Sequence, residues 1–135
     1  MDVSKWVAKE MDVPWGGLVA FKVRHKTNVT PQSQIIFYTD GELLQELCTG
    51  FDRSISTIII DEAHERTANI DFLLAVCKEL VLRNSSLRVV VMSATMDYDQ
   101  IVAYFGDAPV IHILGRTHPV ELGYIPQGEH ETLTE

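Results

Sequence analysis

Residues 57–67 read Thr57-Ile58-Ile59-Ile60-Asp61-Glu62-Ala63-His64-Glu65-Arg66-Thr67. Four β-branched residues in succession favour a strand, because branched side chains pack well on a pleated surface and lose rotamer freedom in a helix. No polar residue interrupts Ile58–Ile60, the pattern of a strand in a parallel sheet covered on both faces. The run ends in two adjacent carboxylates, and from Ile70 to Leu82 apolar residues recur at helical spacing. Strand, polar turn and helix make half of a βαβ unit.

The same unit recurs on both sides. Upstream, Ile35, Ile36 and Phe37 form a short strand that ends at Thr39. Asp40 stands where a helix N-cap would, and Leu43, Leu44 and Leu47 follow at helical spacing. Downstream, Leu87–Met92 is a third strand, followed by Ser93-Ala94-Thr95 and a helix from about Asp97 to Phe105. Near the start, Val3, Trp6, Val7 and Met11 predict an amphipathic helix over residues 2–12, closed by Pro14, Gly16 and Gly17. Leu18–Arg24 alternates, predicting a half-exposed strand with Val19, Phe21 and Val23 on one side. Residues 25–33 read as a polar loop. Pro109–Ile113 and Val120–Ile125 are expected as closing strands around a Gly115-Arg116-Thr117 turn, with a polar tail from Gln127. Alternating strands and helices predict right-handed crossovers and an open, mostly parallel α/β sheet flanked by helices.

Composition narrows the function classes. A chain of 135 residues, 46% apolar and 22% charged, fits one folded domain and excludes both a disordered tail and a multidomain machine. Nineteen acidic against eleven basic residues give a net charge of −8, so any nucleic-acid contact is local rather than a bulk electrostatic attraction. Cys48 and Cys77 have no CxxC spacing, which excludes a zinc knuckle and a disulfide framework and points to a reduced, intracellular setting. The sequence shows neither a signal peptide nor a membrane span. His64-Glu65 opens an HExxH zinc pattern, but its fifth position is Ala68, so the second ligand is missing.

Open α/β sheets hold ligands just past the carboxyl ends of their strands. Thr39-Asp40-Gly41, Asp61-Glu62-Ala63-His64 and Ser93-Ala94-Thr95 are therefore expected to converge on one edge. In a nucleotide triphosphatase the first acid holds Mg²⁺ through its water shell and the second orients and deprotonates the attacking water. Asp61 and Glu62 stand in those positions. Plainer readings exist: acids and a histidine favouring the start of the next helix, Thr39 as a cap, Ser93 and Thr95 as strand-end hydrogen bonders. Arg24 and Lys26 could reach phosphate, but read better as a solvated loop.

The segments TDGELLQEL (39–47), DEAHERT (61–67), SATMD (93–97) and GRTHPVEL (115–122) occur in this order, after VAKEM (7–11) and LVAFKVR (18–24). Over almost its whole length the chain resembles the DEAH-box family of RNA helicases, in superfamily 2. The resemblance implies an N-terminally truncated, RecA-like first helicase domain over residues 1–126, with 127–135 a tail or linker. It implies ATP and Mg as cofactors, with Asp61 binding Mg through water and Glu62 completing the metal and water site. His64 would link the nucleotide site to a second RecA-like domain, Ser93 and Thr95 would couple hydrolysis to strand movement, and Thr39 would contact the RNA backbone. Implied partners are single-stranded RNA, a ribonucleoprotein or a helicase-activating protein, with no membrane. The implied setting is nucleus or cytoplasm, leaning to the nucleus.

One part of the family pattern is absent. A phosphate-cradling loop needs G-x-x-x-x-G-K-[ST], and no Gly in this chain is followed by Lys. The expectation is a fragment that is inactive by itself, within an enzyme that couples ATP hydrolysis to RNA remodelling. The alternative is a non-catalytic RNA- or protein-binding module of helicase descent. In the family the strand before SAT lies beside the strand feeding the phosphate loop, so Leu87–Met92 is expected to leave an unpaired apolar edge.

Overall fold

The computed structural model describes residues 2–50, 52, 54–94, 98–106 and 108–113. Helix α1 (Asp2–Glu10) precedes strands β1 (Val19–Val23), β2 (Lys26–Thr27) and β3 (Ile35–Tyr38). Helix α2 (Asp40–Thr49), β4 (Thr57–Ile60), a 3₁₀ turn (Ala63–Glu65), α3 (Ala68–Arg83), β5 (Arg88–Val91) and α4 (Tyr98–Phe105) follow. The alternation read from the sequence is present, and the chain is α/β.

The strands form two small sheets rather than the single open sheet expected. β1 pairs in parallel with β3, Val19 opposite Ile35 through Lys22 opposite Tyr38, and antiparallel with β2 in a hairpin inside the expected polar loop. β4 pairs in parallel with β5, Thr57 opposite Arg88 through Ile60 opposite Val91. No hydrogen-bonded pairing joins the sheets among the described residues. α2 and α3, which follow β3 and β4, pack directly on one another.

The main core lies between β4–β5 and the helices. Ile58, Ile60, Leu47, Ile70, Leu73, Leu74, Cys77 and Leu87 are buried together, with Val89, Val91, Ile101 and Phe105 packed against them. Ile59 and Val90 are register partners on the opposite face and remain 58% and 42% exposed. The continuous apolar run over 58–60 is thus covered on one face, not on both.

Three further expectations change. In α1 the buried residues are the small Ser4 and Ala8, whereas Val3 and Trp6, and Met11 just past the helix, are exposed. Small side chains let the helix sit close to β1, and Ser4 Oγ accepts a 3.0 Å hydrogen bond from Trp15 Nε1, whose ring stacks on Phe21. β1 is covered more fully than its alternation suggests, since Val19, Ala20 and Phe21 are all buried. Residues 109–113 form no strand: Ile111 and Ile113 are exposed, and His112 meets the Tyr98 ring edge-on at 5.2 Å. Pro109 has no backbone donor to give a ladder. The strand expected over 120–125 and the tail from 127 lie outside the described residues.

Candidate functional site

The site grows from the shared end of β4 and β5. Because the strands run parallel with Ile60 opposite Val91, the chains leave the sheet at the same carboxyl edge. Two backbone hydrogen bonds extend the pairing past the strands: Met92 N–H donates to Ile60 C=O at 2.8 Å and Ala63 N–H to Met92 C=O at 3.0 Å. Ala63 is fully buried, a plug beneath the turn, while Asp61, Glu62 and Ser93 are exposed at the rim. The acidic segment and the segment opening with Ser93 are thus stitched together, at one end of one sheet. Thr95 lies outside the described residues.

The acidic turn has an unusual backbone. Glu62 (φ 53°) and Arg66 (φ 49°) both adopt the left-handed conformation and bracket the 3₁₀ turn. That region is sterically costly for residues with a Cβ and persists only where the surroundings hold it. Asp61 Oδ1 accepts from Glu62 N–H at 2.9 Å, at the first bend. At the second, the Arg66 guanidinium makes a two-pronged contact with Asp71 in the first turn of α3, at 2.7 and 3.2 Å. This pairing holds the Asp71 carboxyl below its ordinary range, chiefly through the hydrogen bond. Thr67 caps α3, its Oγ1 accepting from Ile70 N–H at 3.2 Å.

His64 lies within the turn. Its Nδ1 is buried, sits 3.4 Å from Glu62 Oε2 and makes no properly oriented hydrogen bond. The nearness brings the imidazole beside the second acid of the pair, on the sequence's own i, i+2 spacing.

Thr39 arrives from the other sheet, at the carboxyl end of β3. It occupies the N-cap position of α2, exposed and with no side-chain capping bond, so the cap falls one residue earlier than expected. Asp40 is instead the first helical residue, and its Oδ1 accepts from Gly41 N–H at 2.7 Å. Its Oδ2 accepts from Asn69 Nδ2 at 3.2 Å and from Thr67 Oγ1 at 3.4 Å. The Thr39–Asp40 segment therefore touches the segment by which the acidic turn enters α3. Sequence reading missed Arg66, Thr67 and Asn69 as contributors and gave Asp40 no role beyond a cap, although a donor-bearing residue just after an acidic turn was a visible signal. Arg24 and Lys26 flank His25 (φ 63°) at the exposed tip of the β1–β2 hairpin, beyond the same edge of the first sheet as Thr39.

Two exposed carboxylates are a sparse metal site. Among the described residues there is no group of three His, Cys, Asp or Glu side chains arranged around a common point. Zinc and calcium cages need three or more protein ligands, whereas Mg²⁺ keeps several waters and is commonly bound by one or two carboxylates with substrate phosphates. The donor set fits Mg²⁺.

No family model matches the chain. It is 42% identical over 136 aligned positions, 98% of its length, to the ATP-dependent RNA helicase HrpA of Escherichia coli. It is 40% identical over 96% of its length to the ATP-dependent RNA helicase HrpA homolog of Haemophilus influenzae. The chain spans about a tenth of each of these relatives. Both are bacterial, so the leaning toward a nucleus finds no support in them. Among the described residues no helix is long and apolar enough to cross a membrane. Over almost its entire length, this chain is homologous to a segment of the DEAH-box RNA helicases.

Proposed function

We propose that these residues serve an ATP-dependent RNA helicase as part of its first RecA-like domain, presenting the acidic half of the nucleotide site and one contact to the RNA backbone. The carrying observation is the stitched edge of β4 and β5, where Ala63 N–H reaches Met92 C=O and Asp61, Glu62 and Ser93 stand exposed at the same end of the sheet. The names of the relatives supply ATP and RNA.

In this reading Asp61 holds Mg²⁺ through water, and the ion, when bound, neutralises charge on the phosphates. Glu62 orients the attacking water and takes its proton. Its backbone is left-handed, its carboxylate lies 3.4 Å from His64 Nδ1, and in this reading His64 relays contact with a second domain. Ser93 and Thr95 sense the state of the nucleotide from the next strand, and Thr39 touches RNA phosphate from the end of β3. The 135 residues taken alone, which hold no G-x-x-x-x-G-K-[ST] pattern, are expected not to hydrolyse ATP. The second reading is a non-catalytic RNA- or protein-binding module.

A chimera decides between them. Replacing the matching segment of the Escherichia coli relative with this chain supplies the missing parts. The helicase reading predicts Mg²⁺-dependent, RNA-stimulated ATP hydrolysis by the soluble chimera. A folded chimera that binds RNA without hydrolysing ATP overturns it and favours the binding module.

A further inference from the structure

Among the described residues a polar bridge joins the Thr39 segment to the end of the acidic turn, and none of the roles proposed for the nucleotide and RNA contacts uses it. Asp40 opens α2 and is half-buried, with one carboxylate oxygen occupied by Gly41 N–H and the other facing Thr67 Oγ1 and Asn69 Nδ2. Thr67 is simultaneously the cap of α3 and the last residue of the segment that begins at Asp61. The two helix starts are close at this point, since a Cβ on Gly41 would stand 3.4 Å from Asn69 Nδ2. A carboxylate with both oxygens engaged fixes distance and direction between two elements better than apolar contact, because hydrogen bonds are directional and weaken steeply when misaligned.

We propose that Asp40 is a positioning residue that ties the strand end carrying Thr39 to the acidic turn through Thr67 and Asn69, so that a nucleic-acid backbone held at Thr39 restrains Glu62–Arg66. The inference rests on the reading of Thr39 as an RNA contact and adds the route by which that contact reaches the nucleotide side. The turn is suited to receive such a restraint: two left-handed residues bracket it, and its exit is anchored where Arg66, Thr67 and Asp71 meet at the start of α3. Shifting Thr67 moves the cap of α3 and the Arg66 end of the turn together.

The test follows amide hydrogen exchange of residues 62–66 in the 135-residue chain, with and without a ten-nucleotide oligouridylate, alongside fluorescence anisotropy of the labelled oligonucleotide. The wild-type chain is expected to bind the oligonucleotide and to slow exchange at 62–66 by about fivefold or more. Asp40→Ala and Asn69→Leu are expected to bind it and show no slowing, while Thr67→Ser, which keeps the hydroxyl, retains the effect. Asn69→Leu leaves every charge in place, so it carries the test should Asp40→Ala fail to fold. Equal slowing in wild type and Asn69→Leu overturns the bridge and leaves the RNA contact standing. Absence of oligonucleotide binding by the wild-type chain overturns the RNA contact and the bridge with it.

Discussion

Cys77 and Cys48 show how strongly placement sets the chemistry of a single residue. Cys77 lies on the buried face of α3, and burial alone pushes its thiol from 9.0 up to about 11, because the low-dielectric interior penalises thiolate. Cys48 is exposed on α2. At neutral pH a thiol reagent should label Cys48 and spare Cys77 until denaturant is added, and mass spectrometry of the labelled peptides checks this. The same shift has a consequence for stability. A thiol ionises in the unfolded chain near 9.0 and in the folded chain near 11, so its contribution is complete below 9.0 and is lost as pH rises through the interval to about 11. Denaturation midpoints measured across that interval should fall for the wild-type chain and fall less for Cys77→Ala. At the rim, the Arg66–Asp71 pair is solvent-exposed, so Arg66→Ala should change global stability little while speeding amide exchange at 62–66.

Individual elements differ in how far residue pattern announced them. α2, α3, α4, β3, β4 and β5 stand within a few residues of their expected places, because each carries an apolar period and a polar turn on both sides. α1 was found but rotated in expectation: its apolar stripe suggested Val3 and Trp6 inward, whereas close approach to β1 selects Ser4 and Ala8. Periodicity reports which residues are apolar, not how near the neighbouring backbone comes. The β2 hairpin escaped notice because Lys26 and Thr27 have no apolar pattern. Its turn is set by His25 in the left-handed region and by Asn28, whose Oδ1 accepts from Phe21 N–H at 2.7 Å. α2 is also pinned to the first sheet: Lys22 on β1 pairs with Glu46 and lies 4.0 Å from Glu42. The hydrogen bond with Glu46 is the leading cause that raises the lysine's pKa above its ordinary value. α3 carries the largest share of the core, with Ile70, Leu73, Leu74 and Cys77 buried on one face. Leu74→Ala leaves a cavity between α3 and the β4–β5 sheet, and should cost about 2–5 kcal/mol in urea denaturation.

At the scale of the whole molecule, the site was more legible than the sheet. Motif order placed Asp61, Glu62 and Ser93 at strand ends, and parallel pairing with Ile60 opposite Val91 brings them to one edge. The lack of pairing between β3 and β4 was not legible, because no single segment's composition specifies strand order. The consequences show on the surface. Ile59 and Val90 lie bare on the uncovered face, and the outer edge of β5 has no strand partner among the described residues. An apolar face beside an open edge favours self-association. The 135-residue chain should therefore associate as its concentration rises, and Ile59→Thr with Val90→Thr should reduce the association in sedimentation experiments. A wild-type chain that remains monomeric and melts cooperatively would contradict the open edge. The proposed function makes Glu62 the base at the acidic rim. Its most direct test is single-turnover ATP hydrolysis by the chimera, comparing wild type with Glu62→Gln. The prediction is undiminished nucleotide binding with the hydrolytic step slowed by about 10²–10⁴-fold. Hydrolysis at the wild-type rate in Glu62→Gln would contradict it.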